Sequence, residues 1–170
     1  MKKVKINPTK VTVVALIIYC FVLTWVIMFK CNLLTSDMRF GYRSITFVPF
    51  RQFDRIGYLA DYLLNIVVYI PMGIYVCTFL KHKSLVFKIA VIAISSIFFE
   101  IVQYVIAFGS SDISDVISNT LGGVVGVWLH SKIKNKPVLH WFNCFIAVVG
   151  LPLVIFAIIQ TVSVFNIYTS

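Results

Sequence analysis

The chemistry of this sequence is concentrated in carboxylate and carboxamide side chains that lie in or beside long apolar stretches. Glu100 and Gln103 are three residues apart, so they share one face of a helix. Asp112, Asp115 and Asn119 follow the i, i+3, i+7 spacing of a second helical stripe. Such oxygen-rich side chains can accept hydrogen bonds from a ligand, hold a hard cation, or bond to one another.

The elements that position these groups are predicted to be membrane-spanning helices. Of the 170 residues, 60% are hydrophobic and only 12% are charged, which is more apolar surface than a soluble domain of this size can bury. We predict an all-α, polytopic transmembrane bundle of about five spans, forming a single integral membrane domain over residues 1–170. The predicted spans are Val11–Phe29, Tyr62–Leu80, Ile89–Phe108, Ile113–His130 and Val138–Val162, the last being an additional C-terminal helix.

The distribution of lysines predicts the orientation of the spans. Lysines precede the first span and occur in the connections from the second to the third and from the fourth to the fifth. Because cytoplasmic flanks carry the excess of Lys and Arg, the N-terminus is expected in the cytoplasm and the C-terminus outside. The net charge of +9 therefore reflects the membrane topology and also favours contact with anionic lipids of the inner leaflet. No nucleic-acid partner is expected.

In this orientation several polar groups fall at one level in the outer half of the membrane. Glu100, Asn119 and Asn65 come from three different spans, and a site opening to the extracytoplasmic side is expected. The Gly122-x-x-x-Gly126 pattern favours close approach of the fourth span to a neighbour. Pro71 with Gly73 is expected to kink or loosen the second span below Asn65.

Two structural explanations compete with a ligand site. The polar residues of the third and fourth spans can form a buried hydrogen-bond network that fixes helix register. Asp112 can also act simply as the N-cap of the fourth span, because helix N-termini favour aspartate.

The connection at residues 30–61 alternates aromatic residues with arginines between Phe40 and Phe53. One interpretation is an aromatic belt at the membrane interface with snorkelling arginines. The other is a clamp in which Arg43, Arg51 or Arg55 pairs with a phosphate or carboxylate while a ring stacks on the ligand.

Four successive motifs resemble those of VanZ-like membrane proteins, over a core of about residues 43–130. They are Arg-Ser-Ile-Thr-Phe-Val-Pro-Phe-Arg at 43–51, Asn65 with Pro71-Met-Gly73, Glu100-Ile-Val-Gln103, and the segment from Asp112 to Gly123 that contains Asp115 and Asn119. The resemblance implies a bacterial cytoplasmic membrane protein linked to resistance against the lipoglycopeptide teicoplanin. Two positions depart from the family pattern: Ser114 replaces an acidic residue, and Gly109-Ser110-Ser111 lacks an arginine, so an anion would have to be bound by Arg43 or Arg51.

The leading hypothesis is a protein that binds an outer-leaflet amphiphile, such as a lipoglycopeptide or a lipid-linked wall precursor. Its expected ligand-binding residues are Arg43, Arg51, Asn65, Glu100, Gln103, Asp112, Asp115 and Asn119. The first alternative is an enzyme acting on a lipid phosphate or glycolipid, in which Glu100, Asp112 and Asp115 are the candidate catalytic residues and ligands of Mg²⁺ or Mn²⁺. The second is a small transporter formed by an oligomer through the Gly122 and Gly126 face.

Overall fold

The computed structural model describes the backbone of residues 8–34, 42–51, 56–106, 108–133 and 136–169, and the side chains of residues 10–27, 45–51, 58–105, 111–133 and 137–159. The elements in chain order are α1 (Pro8–Leu34), β1 (Tyr42–Thr46), α2 (Ile56–Phe79), α3 (Leu85–Ile106), β2 (Phe108–Asp112), α4 (Ile113–Lys132) and α5 (Lys136–Thr169).

The predicted helical membrane bundle is confirmed. Within the part of the chain that the structure describes, four helices are long and apolar enough to cross a membrane, through the segments Lys10–Ile27, Tyr58–Phe79, Leu85–Val105 and Pro137–Ile159. The fourth predicted span is a helix of 20 residues, α4, but it is not among these four. Its polar stripe and glycines lower its hydropathy, and the same residues are buried against other helices: Ser114, Asp115, Ser118, Asn119, Gly122, Gly123 and Gly126. This stripe of α4 therefore faces other helices, whereas Ile117, Leu121 and Trp128 of the same helix are exposed.

Local capping explains where α3 begins. Ser84 precedes the helix, and its Oγ accepts a hydrogen bond of 3.2 Å from the backbone N–H of Phe87. The Ser84 carbonyl accepts the N–H of Lys88 at 3.1 Å, which closes the first helical turn. These bonds fix the start of α3 directly after the Leu80–Lys83 turn that follows α2.

Close backbone contact between α2 and α4 organises the compact unit formed by Val26–Lys132. A Cβ added at Gly122 would lie 2.8 Å from the Ile66 Cα, and one added at Gly126 would lie 3.0 Å from the Gly73 Cα. Only glycine fits at this separation, so the predicted close approach is confirmed. The oligomer stays a prediction, but α2 of the same chain occupies the Gly122 and Gly126 face that was expected to receive a second copy.

Two short strands form a feature that the sequence did not predict. Strands β1 and β2 pair in parallel, with Tyr42 opposite Phe108 and Thr46 opposite Asp112. Parallel strands need a long crossover connection, which α2 and α3 provide here. The pair places the end of β1 beside the first turn of α4, and both strands contact α3.

The second compact unit consists of the chain ends, through Trp25 and from Ile133 onward. Within it, the Asn143 side chain donates a hydrogen bond of 2.9 Å to the Thr12 hydroxyl, joining α5 to α1. The rings of Trp25 and Phe156 pack edge to face, with centroids 5.7 Å apart.

Candidate functional site

The N-terminus of α4 is fixed by Asp112, which is its N-cap. One carboxylate oxygen, Oδ1, accepts hydrogen bonds from the backbone N–H of Ser114 at 2.8 Å and from the Ser114 hydroxyl at 2.6 Å. The capping interpretation of Asp112 is therefore confirmed. The side chain is only half buried, and its other oxygen accepts no hydrogen bond from the described residues.

Glu100 joins α3 to the same helix start. Its Oε2 accepts the backbone N–H of Asp112 at 3.0 Å, while the Ser111 hydroxyl donates to the Glu100 carbonyl at 2.7 Å. In a capping box the N-cap N–H is bonded by an acidic side chain three residues later, which here would be Asp115. Glu100 from a different helix takes that role, so this buried carboxylate, only 7% exposed, serves to hold α3 against α4.

Asp115 is directed toward α2 instead. The Asn65 side-chain amide donates a hydrogen bond of 2.7 Å to its Oδ1, and both side chains are buried. The glycine contacts about two and three turns along α4 make this possible, because they bring the two backbones close together. Asn65 and Asp115 thus behave as the helix-register contact that was considered as an alternative to ligand binding.

Asn119 lies deeper, between α4 and α3. Its Nδ2 donates to the Ser96 hydroxyl at 2.9 Å, and both residues are at most 1% exposed. The Asn119 Oδ1 has no hydrogen-bond partner among the described residues. Gln103 lies on the same helix as Glu100 but contacts a different element. Its side-chain amide donates a hydrogen bond of 2.8 Å to the Ile27 carbonyl of α1.

The hydrogen bonds described for the expected polar residues of α2, α3 and α4, apart from that of Gln103, lie at three places along α4. Glu100 and Asp112 meet at one place, Asn65 and Asp115 at a second, Asn119 and Ser96 at a third. The described residues include no group of three or more His, Cys, Asp or Glu side chains that could hold a metal ion, so Glu100, Asp112 and Asp115 do not form the expected metal ligand set.

Of the three arginines of the predicted clamp, Arg43 and Arg51 lie on either side of the turn after β1, and Arg55 lies outside the described residues. Arg43 is in β1, with its backbone opposite Gly109, and its side chain falls outside the described residues. Arg51 ends the turn and is exposed.

A cavity of about 380 Å³ lies beside the start of α4 and contains Glu100 and Asp112 but none of the other predicted site residues. Its wall is formed by the end of β1, one face of α3 and the first turn of α4. The lining residues are Ile45, Thr46, Phe47, Ile97, Glu100, Ile101, Tyr104, Ser111, Asp112, Ile113 and Val116.

The position of Glu100 in this cavity depends on the strand pair. Ile97, Ile101 and Tyr104 of α3 line the same cavity and are 45%, 56% and 37% exposed, whereas Glu100 is 7% exposed. The β2 segment covers Glu100 through Ser111 and Asp112, and leaves the neighbouring isoleucines open. The cavity is thus an almost entirely apolar space on the outward face of α3, and Glu100 borders it.

Comparison with known proteins places this arrangement in a family. A sequence model of the VanZ/LLP1 family matches residues 16–135, and so covers the strand pair, the cavity and every predicted site residue. The chain belongs to the VanZ/LLP1 family. It is 32% identical to the protein VanZ of Enterococcus faecium over 122 residues, which is 71% of this chain and 73% of that protein. No solved structure matches the chain.

Several residues that shape this VanZ-like site gave no signal in the sequence. Ser96 bonds Asn119, whereas its neighbour Ser95 bonds the Ile92 carbonyl of its own helix. Short hydroxyl side chains in helices usually make the second kind of bond, so type alone does not distinguish the two serines. Ser114 was noted only as a departure from the family pattern, yet it makes bonds to two different segments.

Proposed function

We propose that this VanZ-like protein binds an amphiphile of the outer leaflet in the cavity beside Glu100. The cavity itself carries the proposal: its walls are almost entirely apolar, and Glu100 and Asp112 border it without opening polar surface into it. An acyl chain fits the apolar wall, since burying methylene groups there removes them from water. A hydrogen-bond donor of the head group, such as a hydroxyl, amide or ammonium, would lie at the edge of the cavity, toward the half-buried Asp112 carboxylate.

The exposed isoleucines on α3 support entry from the bilayer. Ile97 and Ile101 belong to both the cavity wall and the outward surface of the helix, so an acyl chain could reach the cavity without crossing the protein. Arg51 is exposed at the end of the neighbouring turn, where it would pair with a phosphate or carboxylate of the head group. The lysine distribution supports an extracytoplasmic location for this end of the bundle.

Lipoglycopeptides and lipid-linked wall precursors combine an acyl chain with a polar head rich in donors, so both fit this description. Membership of the VanZ family supports a link to teicoplanin, and teicoplanin is the first ligand to test. Vancomycin is the matched comparison because it is a glycopeptide without the acyl chain.

The decisive experiment compares binding of both antibiotics to purified protein in nanodiscs. Ile101→Trp fills the cavity, whereas Ile94→Trp makes the same change at an exposed position of α3 that does not line it. We expect teicoplanin to bind the wild type and the Ile94 variant and to lose about tenfold or more in affinity with the Ile101 variant, with no comparable effect on vancomycin. Equal binding by both variants would reject the cavity as the site.

Two further variants locate the head group. Glu100→Gln keeps an oxygen that can accept the Asp112 N–H but removes the charge, and Arg51→Ala removes the exposed cation. Unchanged teicoplanin binding by both would reject this placement. In a sensitive bacterial host at matched membrane levels, the wild type is expected to raise teicoplanin resistance and Glu100→Gln to lose that effect.

A further inference from the structure

Ser114 connects the turn after β1 to the start of α4. It is fully buried, and its Oγ accepts the backbone N–H of Phe50 at 2.9 Å while donating to Asp112 Oδ1 at 2.6 Å. The Asp112 carboxylate orients the hydroxyl proton toward itself, which leaves a lone pair of the oxygen for the Phe50 N–H. The link therefore depends on a hydroxyl at this position.

The backbone at Phe50 would not hold its conformation by itself. Its φ of 52° lies in the left-handed region, which is unfavourable for a residue with a large side chain. The Ser114 bond stabilises it on one side, and the Phe50 ring packs edge to face on Tyr62 of α2, with centroids 5.1 Å apart, on the other.

Part of the segment from Thr46 to Phe50 lines the cavity, and the backbone of this segment is held at both ends. Thr46 pairs with Asp112 at the end of the strand ladder, Phe50 is held by Ser114, and Phe47 lies between them on the cavity wall. Phe47 is 78% exposed, so packing of its own ring contributes little to its position. Its place on the wall is set by the two backbone anchors.

We propose that Ser114 is a positioning residue that holds the 47–51 turn, and with it the Phe47 wall, in the shape that binds the amphiphile. The effect on binding rests on the proposed function, whereas the effect on the turn does not. Ser114 acts through Phe50 and Phe47 and does not line the cavity itself.

The test compares Ser114→Ala with Ser118→Ala in the purified full-length protein. Ser118 is a matched control because it is a buried serine one turn further along α4 whose hydroxyl has no partner among the described residues. Hydrogen–deuterium exchange of a peptide covering 45–51 is measured first. We expect exchange at the Phe50 amide to rise about fivefold in Ser114→Ala, as loss of one hydrogen bond predicts, and to stay unchanged in Ser118→Ala.

Unchanged exchange in Ser114→Ala would overturn the proposal. If that variant does not fold, Ser114→Cys places a weaker hydrogen-bonding group at the same position and serves for the same comparison. Teicoplanin binding is measured next, with an expected loss of about fivefold in Ser114→Ala alone. If Ser114→Ala exchanges faster at the Phe50 amide but binds teicoplanin with wild-type affinity, the proposed effect of the turn on binding is wrong. Absence of binding by the wild type would reject the proposed function, while the exchange result would still decide the role of Ser114 in the turn.

Discussion

Substituting Gly122 by alanine is expected to destabilise the protein by forcing α2 and α4 apart. The new Cβ would lie 2.8 Å from the Ile66 Cα and within collision distance of the Ile66 carbonyl oxygen. Carbon atoms pack at about 3.5 Å or more, so the helices must separate by about 0.7 Å. Both obstructing atoms belong to the backbone of α2 and cannot rotate away.

The expected loss of stability in Gly122→Ala is the difference between two opposing effects. Overpacking of a well-packed interface costs about 1–3 kcal/mol, and a backbone obstruction belongs at the upper end of that range. Against this cost, alanine stabilises the helix by up to about 1 kcal/mol relative to glycine, because its helix propensity is higher. The net loss is about 2 kcal/mol, which corresponds to a fall in Tm of about 4–8 °C for a chain of this length.

The assay is the fraction of monodisperse protein that remains after heating in detergent. Gly150→Ala is the matched control, because its Cβ would meet only side-chain atoms of Ile18. Its Tm is expected to fall by less than that of Gly122→Ala. If Gly122→Ala unfolds at the wild-type temperature, α2 and α4 are not in backbone contact and the argument for the Asn65–Asp115 pair fails with it.

Three further predictions concern the buried pairs and the orientation. A double-mutant cycle of Asn65→Ala and Asp115→Ala should give a coupling free energy of about 1 kcal/mol in thermal unfolding, and additive effects would contradict the hydrogen bond between them. Ser96→Ala should lower stability by about 1–3 kcal/mol because it leaves the buried Asn119 amide unpaired, and adding Asn119→Leu should recover most of that loss. Alkaline phosphatase inserted at Lys83 should be inactive, since this turn is predicted to be cytoplasmic, and an active enzyme there would reverse the predicted orientation.

The helices were predictable because long apolar runs have few structural solutions in a membrane. The role of Gly122 and Gly126 in close helix packing was likewise readable, although the sequence did not identify α2 as the partner. Strand β2 was not predictable: its Gly109-Ser110-Ser111 segment has low strand propensity, and its pairing partner lies far away in the chain.

The candidate site was predictable in residue type and less so in geometry. Glu100, Asp112 and Asp115 were chosen correctly as buried or partly buried polar groups. Their partners depend on the direction of each side chain about its helix: Glu100 and Gln103 are three residues apart on α3, yet Gln103 bonds α1 while Glu100 bonds the start of α4. Spacing alone places two residues on a face but does not say which neighbour that face meets.

The parallel pairing of β1 and β2 also orders the events of biosynthesis. Thr46 cannot meet Asp112, which follows 66 positions later, until the residues between them have left the ribosome, and this takes about 3–13 s at ordinary elongation rates. During that interval α2 and α3 have to enter the membrane, and the arginine-containing segment before them waits at the surface without its partner strand. A nascent chain released before β2 would therefore carry α1, α2 and α3 but no closed cavity, so the proposed binding site can form only after these three helices have been made.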